Sequence, residues 1–377
     1  MYKKNTLFLL KKFFRYIRIY GLLWTLFKVS GRTRKFPIGI FFLKNKETKV
    51  GIIGCGQFAF SNIAHHLYKN HGRVIVSCFD IDLHQAKSFS KSLKFDSYFD
   101  DFDDFIQNEF DIIYIASNHN SHTKYTLKCL ERGVKRIYVE KPISVDLEQL
   151  SSLSKAIKHS KSNIYSGFNR PFSKSIKMLK KDYQENSQRF FINMIIWAHV
   201  IEEGHWYKNP GEGGRLSGNL CHWIDLSIHM LFWKKELPNF YEVSIINAIP
   251  HTPIEDNMIL YLQTSLGDSF NITFGSLSEP FEGVSELIDI QNNEFCARIL
   301  DFKKMVIDKQ LSRKNLNFFP KDAGHKLAIL EPFSPKPYRD FNEILYSTAF
   351  TLLLNDKIIN NEKNFKIYHD EVIKIIT

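Results

Sequence analysis

The sequence predicts an α/β protein, a doubly wound parallel sheet followed by an α+β domain with an open, largely antiparallel sheet. Three observations predict it. From Lys49 onward, short apolar runs alternate with amphipathic helical stretches. Beyond Gly167 the runs become strand-like segments joined by short turns. Between these regimes, the first run closes on Gly54-x-Gly56-x-x-Ala59, just ahead of helix-favouring residues. The expected divisions are a basic amphipathic extension over 1–48, the parallel α/β domain over 49–166, and the α+β domain with C-terminal helices over 167–377.

In chain order, Leu10, Phe13, Ile17, Tyr20, Trp24 and Phe27 recur at alternating spacings of three and four, which puts them on one helical face. Lys11, Arg15 and Arg18 fall on the other, and the basic "SGRTRKFP" follows. "VGII" reads as a buried strand and "QFAFSNIAHHLYKN" as a helix. "RVIVSCFD" is a second strand ending at Asp80, and Asp82 is placed to cap the next helix. "DIIYIAS" is a strand, "SHTKYTLKCLERG" a helix closed by Gly133, and "RIYVEKP" a further strand. Then come "RFFINMIIWAHV", "YEVSIINAI", "NMILYLQTS", "SFNITFGSL" and "ELIDIQNNEFCARIL" as strands, with the helix "NLCHWIDLSIHMLF" among them. Two helices, about 340–354 and 364–376, end the chain.

Bulk properties narrow the function classes. The 377 residues suffice for two cores, and 44% hydrophobic with 24% charged residues is ordinary globular composition. No run of eighteen uncharged apolar residues exists to span a bilayer. Cys55, Cys78, Cys129, Cys221 and Cys296 are scattered without a C-x-x-C pair, which argues for reduced thiols in a cytoplasmic protein and against a metal site or disulfide framework. The net charge of +11 is confined to one end. Residues 1–50 carry thirteen Lys and Arg and one acid, against 38 bases and 39 acids in the rest. A neutral body with a basic tail argues against nucleic acid as partner. The extension suits peripheral association of residues 1–35 with an anionic membrane, with packing against the body or a partner as the competing reading.

The glycine pattern has the chemistry of a dinucleotide site. Gly54 permits a tight turn, Gly56 lets a pyrophosphate approach the backbone, and Ala59 allows close helix–strand packing. Gln57 and Phe58 open the helix whose N–H groups face the phosphates. Asp80, 24 residues after Gly56, ends the next strand, where a carboxylate accepts both adenosine ribose hydroxyls and repels a 2′-phosphate. The expected fold is therefore a Rossmann domain and the expected cofactor NAD, with NADP not excluded.

By "VEKP" the chain resembles the Gfo/Idh/MocA oxidoreductases, named for glucose–fructose oxidoreductase and inositol dehydrogenase. The likeness spans about 48–350 and rests on the fingerprint, "DIIYIASNHNSHTKYTLKCLERG", "YVEKPIS", "SGFNRPFS" and "GEGGRLSGNLCHWIDL". It is similar to a subgroup in which G-R-x-x-G-x-x-C-H follows an aromatic-rich "HWYKNP", and such proteins often accompany cell-surface glycan synthesis. The resemblance implies hydride transfer at a carbohydrate hydroxyl or keto carbon of a nucleotide sugar or glycan precursor, in a homo-oligomer.

Lys141 ends a parallel strand, and Pro142 holds it extended, so its ammonium suits hydrogen bonding to a substrate hydroxyl. The resemblance makes His222 the proton-transfer group, a task that an imidazole titrating near neutrality suits. Asp225, three residues on, shares its face and is expected to orient the imidazole or contact substrate. Ser117 and Asn118 leave room for the nicotinamide ribose. The resemblance implies that His122 starts a helix beside the cofactor and that Glu140 faces it. His119 and His122 lack a third ligand, so no metal is expected. Asn169 and Arg170 match positions that line the substrate pocket, though Arg170 equally suits a structural brace. Trp206 and Tyr207 suit stacking on a sugar, or core packing. The family's acid or amide four residues before the histidine is Gly218 here, with Asn219 beside it. A relay through that acid is therefore not expected, and a nucleotide-binding protein without turnover is the alternative.

Overall fold

A computed structural model describes residues 6–45, 47–183, 189–202, 204–209, 211–250 and 252–377. The first five residues of the amphipathic extension lie outside them. The chain opens with helices α1 (Thr6–Tyr20) and α2 (Leu22–Thr33). There follow β1 (Val50–Ile53), a π-helical turn Ala59–Ala64 running into α3 (His65–His71), β2 (Ile75–Phe79), α4 (Leu83–Leu93), β3 (Ser97–Phe99) and α5 (Phe102–Ile106). Next are β4 (Ile112–Ile115), α6 (His122–Glu131), β5 (Arg136–Val139), α7 (Leu147–Lys158), β6 (Asn163–Ser166), α8 (Lys174–Asp182) and β7 (Phe191–Trp197). A second π-helical turn, Leu216–Leu220, leads into α9 (Cys221–Leu231). Strands β8 (Phe240–Asn247), β9 (Asn257–Thr264), β10 (Ser269–Gly275), β11 (Ser285–Gln291), β12 (Cys296–Leu300), β13 (Lys304–Lys309) and β14 (Ser312–Asn317) follow. The chain closes with α10 (His325–Leu330), α11 (Phe341–Ile359), β15 (Asn364–Tyr368) and α12 (His369–Ile376).

The chain forms two compact units. The first comprises residues 6–140, 160–167 and 319–337. Its sheet is wholly parallel, in the order β3-β2-β1-β4-β5-β6. β1 and β4 are buried along their whole length, as expected for strands covered on both faces. Asp82 caps α4 as anticipated, accepting from the His84 N–H at 2.8 Å. Gly133, at φ 75°, turns the chain after α6. Residues 319–337 join this unit through hydrogen bonds from Tyr114 Oη to Ile329 O (2.7 Å) and from Arg136 Nη1 to Pro332 O (3.0 Å).

The second unit comprises 141–159, 168–318 and 338–377. Its nine-stranded sheet runs β14-β13-β12-β11-β7-β10-β9-β8-β15, antiparallel except where β7 meets β10. One face is covered by α9 and α11, as in the ring pairs Trp223–Phe274 and Tyr241–Phe350. Helix α7 belongs here because Ser154 Oγ donates to Ile376 O (2.5 Å) and Lys158 Nζ to Thr377 O (2.7 Å). "ELIDIQNNEFCARIL" is not one strand but the hairpin β11–β12, because Asn292 Oδ1 accepts from the N–H groups of Glu294 and Phe295 and turns the chain. The expected helix over 364–376 is also corrected: residues 364–368 pair with β8 as β15, and only the remainder is helical.

The amphipathic stripe of the extension does not run as one helix. Gly21, at φ 81°, breaks it, since that backbone region is open to glycine but strained for other residues. Beyond the break the stripe is spent internally. Trp24 and Phe27 are buried on the first unit's core, and Trp24 Nε1 donates to Ser61 O at 2.8 Å. The competing reading, a helix packed against the body, is therefore the one realised for α2, and these two rings are not available to a membrane.

Trp24 stacks on His65 with ring centroids 5.3 Å apart and meets His66 edge-on. None of the four ring nitrogens of these histidines finds a hydrogen-bond partner among the described residues. Burial, with nearby lysines, pushes His65 down to about 2 and His66 down to about 3. The unfolded chain binds protons below about pH 6.5, whereas the folded chain does not, so stability is lost as pH falls through that value. By pH 5 each histidine costs about 2 kcal/mol. Urea unfolding at pH 7 and pH 5 should show this loss, reduced in His65→Phe and His66→Phe. Equal acid sensitivity in the variants would assign the loss elsewhere.

Candidate active site

In the first unit, the turn after β1 has the tight glycine geometry that the sequence predicts. Gly54 has φ 88°, and a Cβ there would stand 2.5 Å from Ser117 N, so turn and close approach both require glycine. Gly56 differs. A Cβ there would meet nothing within 4 Å, so protein packing does not require its bareness. The space beside Gly56 is open. Asp80 Oδ2 accepts from Cys55 N at 2.8 Å, and its Oδ1 accepts from Asp82 N at 3.0 Å. The carboxylate is thus fixed at the end of β2 with lone pairs left for ribose hydroxyls.

Ser117 Oγ lies 2.6 Å from Ser121 Oγ, and Ser121 Oγ also donates to Asn118 Oδ1 at 2.7 Å. His122 is buried with Nε2 3.1 Å from Ser117 O, so it shapes the backbone of this loop. Glu140 is buried and accepts from Tyr138 Oη at 2.7 Å. Phe58 is half-buried and tilted against His325, at 6.1 Å. Gln57 is exposed, and its Nε2 donates to Lys28 O of α2 at 3.2 Å, a use the sequence reading did not anticipate. Among the described residues, no group of three or more His, Cys, Asp or Glu is placed to hold a metal ion.

In the second unit, Lys141, Tyr207 and the π-helical turn before α9 come together. Lys141 Nζ donates to Gly218 O at 2.7 Å, and Tyr207 Oη reaches the same oxygen at 3.5 Å. The carboxamide oxygen of Asn219 is buried and has no hydrogen-bond partner among the described residues. His222, one turn on, is half-buried, with its ring edge-on to Phe168 at 6.2 Å. Trp206 is exposed and packs edge-on against Tyr207.

Two expected substrate residues are otherwise engaged. Asp225 is fully buried and held by Arg339, with Nη1 to Oδ2 at 2.9 Å and Nη2 to Oδ1 at 3.0 Å. It neither orients His222 nor faces a substrate. Arg170 is buried, donates from Nε to Glu286 Oε2 at 2.8 Å and lies over the Trp223 ring, which is the bracing role. Asn169 is buried beside it in the chain. Glu286 and Arg339 were invisible to sequence reasoning, because each is paired with a residue more than a hundred positions away.

Residues 48–168 match the profile of the oxidoreductase family with an NAD-binding Rossmann fold. The match to this Gfo/Idh/MocA model is confined to these residues and makes the region around the glycine turn similar to the family's NAD-binding domain. Myo-inositol 2-dehydrogenase of Thermotoga maritima is 22% identical over 184 residues, 48% of this chain and 52% of the relative. The chain thus spans about half the length of the curated relatives it matches, or less. Among solved structures, a dehydrogenase from Chromobacterium violaceum has a TM-score of 0.69 at 17% identity, covering 84% of this chain and 95% of its own. The WlbA dehydrogenase of that organism, in complex with NADH and UDP-GlcNAcA, has a TM-score of 0.66 at 17% identity, covering 87% and 98%. These likenesses show the fold, a parallel Rossmann sheet followed by a mostly antiparallel one.

Proposed function

We propose that the protein is an NAD-dependent oxidoreductase acting at a hydroxyl or keto carbon of a carbohydrate, with a nucleotide sugar or related glycan precursor as substrate. The observation that carries this reading is the convergence of Lys141 and Tyr207 on Gly218 O, four residues before His222. The nicotinamide, when bound, accepts or delivers the hydride. Lys141 hydrogen-bonds the substrate oxygen through Nζ and stabilises negative charge on it. The His222 imidazole takes that hydroxyl's proton in oxidation and returns it in reduction. Asn219 Oδ1 accepts from a neighbouring sugar hydroxyl, and the exposed Trp206 ring offers a stacking surface. The bound UDP-sugar of the WlbA dehydrogenase supports a nucleotide sugar as the class to try first.

The test is the appearance of NADH absorbance with NAD⁺ and a panel of UDP-hexoses and UDP-hexuronates, with Gly56→Val as control. A Val side chain would fill the space meant for the pyrophosphate and should abolish NAD⁺ binding. Unchanged NAD⁺ affinity in Gly56→Val would overturn the site. Gly218 favours a second reading, a nucleotide-binding partner subunit without turnover in glycan assembly, since it offers no side-chain acid: NADH binding without turnover on any member of the panel would favour that reading.

Self-association is proposed through the uncovered sheet face, where Ile195, Trp197, Tyr261 and Leu300 are exposed. Peripheral membrane attachment is proposed for α1 and its surroundings, where Leu10 and Phe14 are exposed beside Lys11, Arg15 and Arg18. No helix among the described residues is long and apolar enough to cross a membrane. Flotation with anionic vesicles should be lost on deletion of residues 1–20. Equal flotation of the shortened chain would remove the attachment idea.

A further inference from the structure

We propose that Arg34, supplied by the N-terminal extension, is a residue of the dinucleotide site that offsets the Asp80 carboxylate at the adenosine ribose, so that the site takes NADP(H) as well as NAD(H). The proposal rests on the assignment of the turn after β1 as the dinucleotide site. Arg34 lies outside the residues matched to the family, fourteen positions ahead of the first of them. It closes α2 in the left-handed conformation, at φ 53°, with its own N–H on Ser30 O. That turn sends the side chain back to the glycine loop. Nη2 donates to Cys55 O at 2.6 Å and to Gly56 O at 3.3 Å.

Arg34 and Asp80 therefore hold the two backbone polar groups of one residue. Asp80 takes the Cys55 N–H, and Arg34 takes the Cys55 carbonyl. The guanidinium is backed by the Phe60 and Phe89 rings, at 4.4 and 5.3 Å. Burial pulls it down to about 10, with Asp80 among the groups opposing that shift, so it stays charged at neutral pH. Its Nη1 is buried and has no hydrogen-bond partner among the described residues. An acid at the end of the second strand receives the ribose 2′-hydroxyl, and a nearby arginine is what lets such a site accept a 2′-phosphate. The residues following Asp80 contain no early arginine; the extension provides one from the other side of the turn.

Calorimetric titration with NAD⁺ and NADP⁺ tests this on the full chain. The wild type should bind both. Arg34→Gln should weaken NADP⁺ by about ten-fold or more beyond its effect on NAD⁺, the loss of one charge-assisted contact to phosphate. Arg34→Lys should restore part of that difference, and wild-type NADP⁺ affinity should fall more steeply with salt than NAD⁺ affinity. Equal weakening of the two ligands, or failure of the wild type to bind NADP⁺, would overturn the proposal and leave Arg34 as a support of the turn. If Gly56→Val leaves both affinities intact, the site assignment fails instead. Should Arg34→Gln not fold, the wild-type salt dependence decides: equal slopes for the two ligands overturn the proposal.

Discussion

Lys141→Ala and His222→Ala should each lower turnover by about 10²–10⁴-fold while NAD⁺ affinity stays within a few-fold. Lys141 is bonded to a main-chain oxygen at the start of the α9 region, two residues beyond the end of β5. Its loss removes a fixed positive charge and leaves the dinucleotide turn, built from other elements, intact. His222→Ala removes the proton carrier but not the cluster of Lys141 and Tyr207 on Gly218. Full turnover in His222→Ala on a verified substrate would end its proton-transfer role. A matching fall in NAD⁺ affinity in Lys141→Ala would mean that Lys141 holds cofactor rather than substrate.

The largest loss of stability is expected from Arg339→Leu. The guanidinium is fully buried and serves two carboxylates, Asp225 on α9 and Glu343 on α11, the latter through Nε at 2.8 Å. Glu343 also meets His229 Nδ1 at 2.7 Å. Burial alone would raise the Glu343 carboxyl, yet Arg339 and His229 hold it down to about 2. Arg339 is in turn pushed above its ordinary value by the two acids, against the effect of its burial. Removing the cation strands two buried charges, and breaking such a pair from one side costs about 3–5 kcal/mol. Asp225→Asn in the Arg339→Leu background should recover part of it. Chemical denaturation provides the measurement, and a loss below about 1 kcal/mol would show that solvent reaches these carboxylates.

What the sequence disclosed follows its local grammar. The parallel sheet was readable because β1, β2, β4 and β5 are apolar runs between helices with recognisable ends, such as Asp82 and Gly133. β3 escaped notice as three residues of which none is buried, and β6, "NIYS", because only two of its residues are apolar. β14, "SRKNLN", is almost wholly exposed and has no apolar alternation to announce it. β15 was absorbed into the helical period of the residues behind it. In the site, Gly54, Gly56 and Asp80 were legible because one supersecondary unit brings them together. Asp225 misled for the same reason. Its spacing from His222 is right for a shared face, but α9 is buried nearly all round, so its partner was decided by Arg339.

The close fit of α2 on the glycine turn also constrains how this chain can diverge. A Cβ on Gly31 would stand 2.9 Å from the Gln57 carboxamide and 3.0 Å from the Phe60 ring, and both side chains belong to the turn and the helix it opens. A larger residue at 31 must displace the exposed Gln57 carboxamide and press on the buried Phe60 ring, so a shorter residue at 60 eases it. Homologues that lack the extension are released from that restriction. Substitutions at these three positions should accordingly be inherited together, and a chimera joining this extension to a foreign Rossmann domain will need all three transferred as a set.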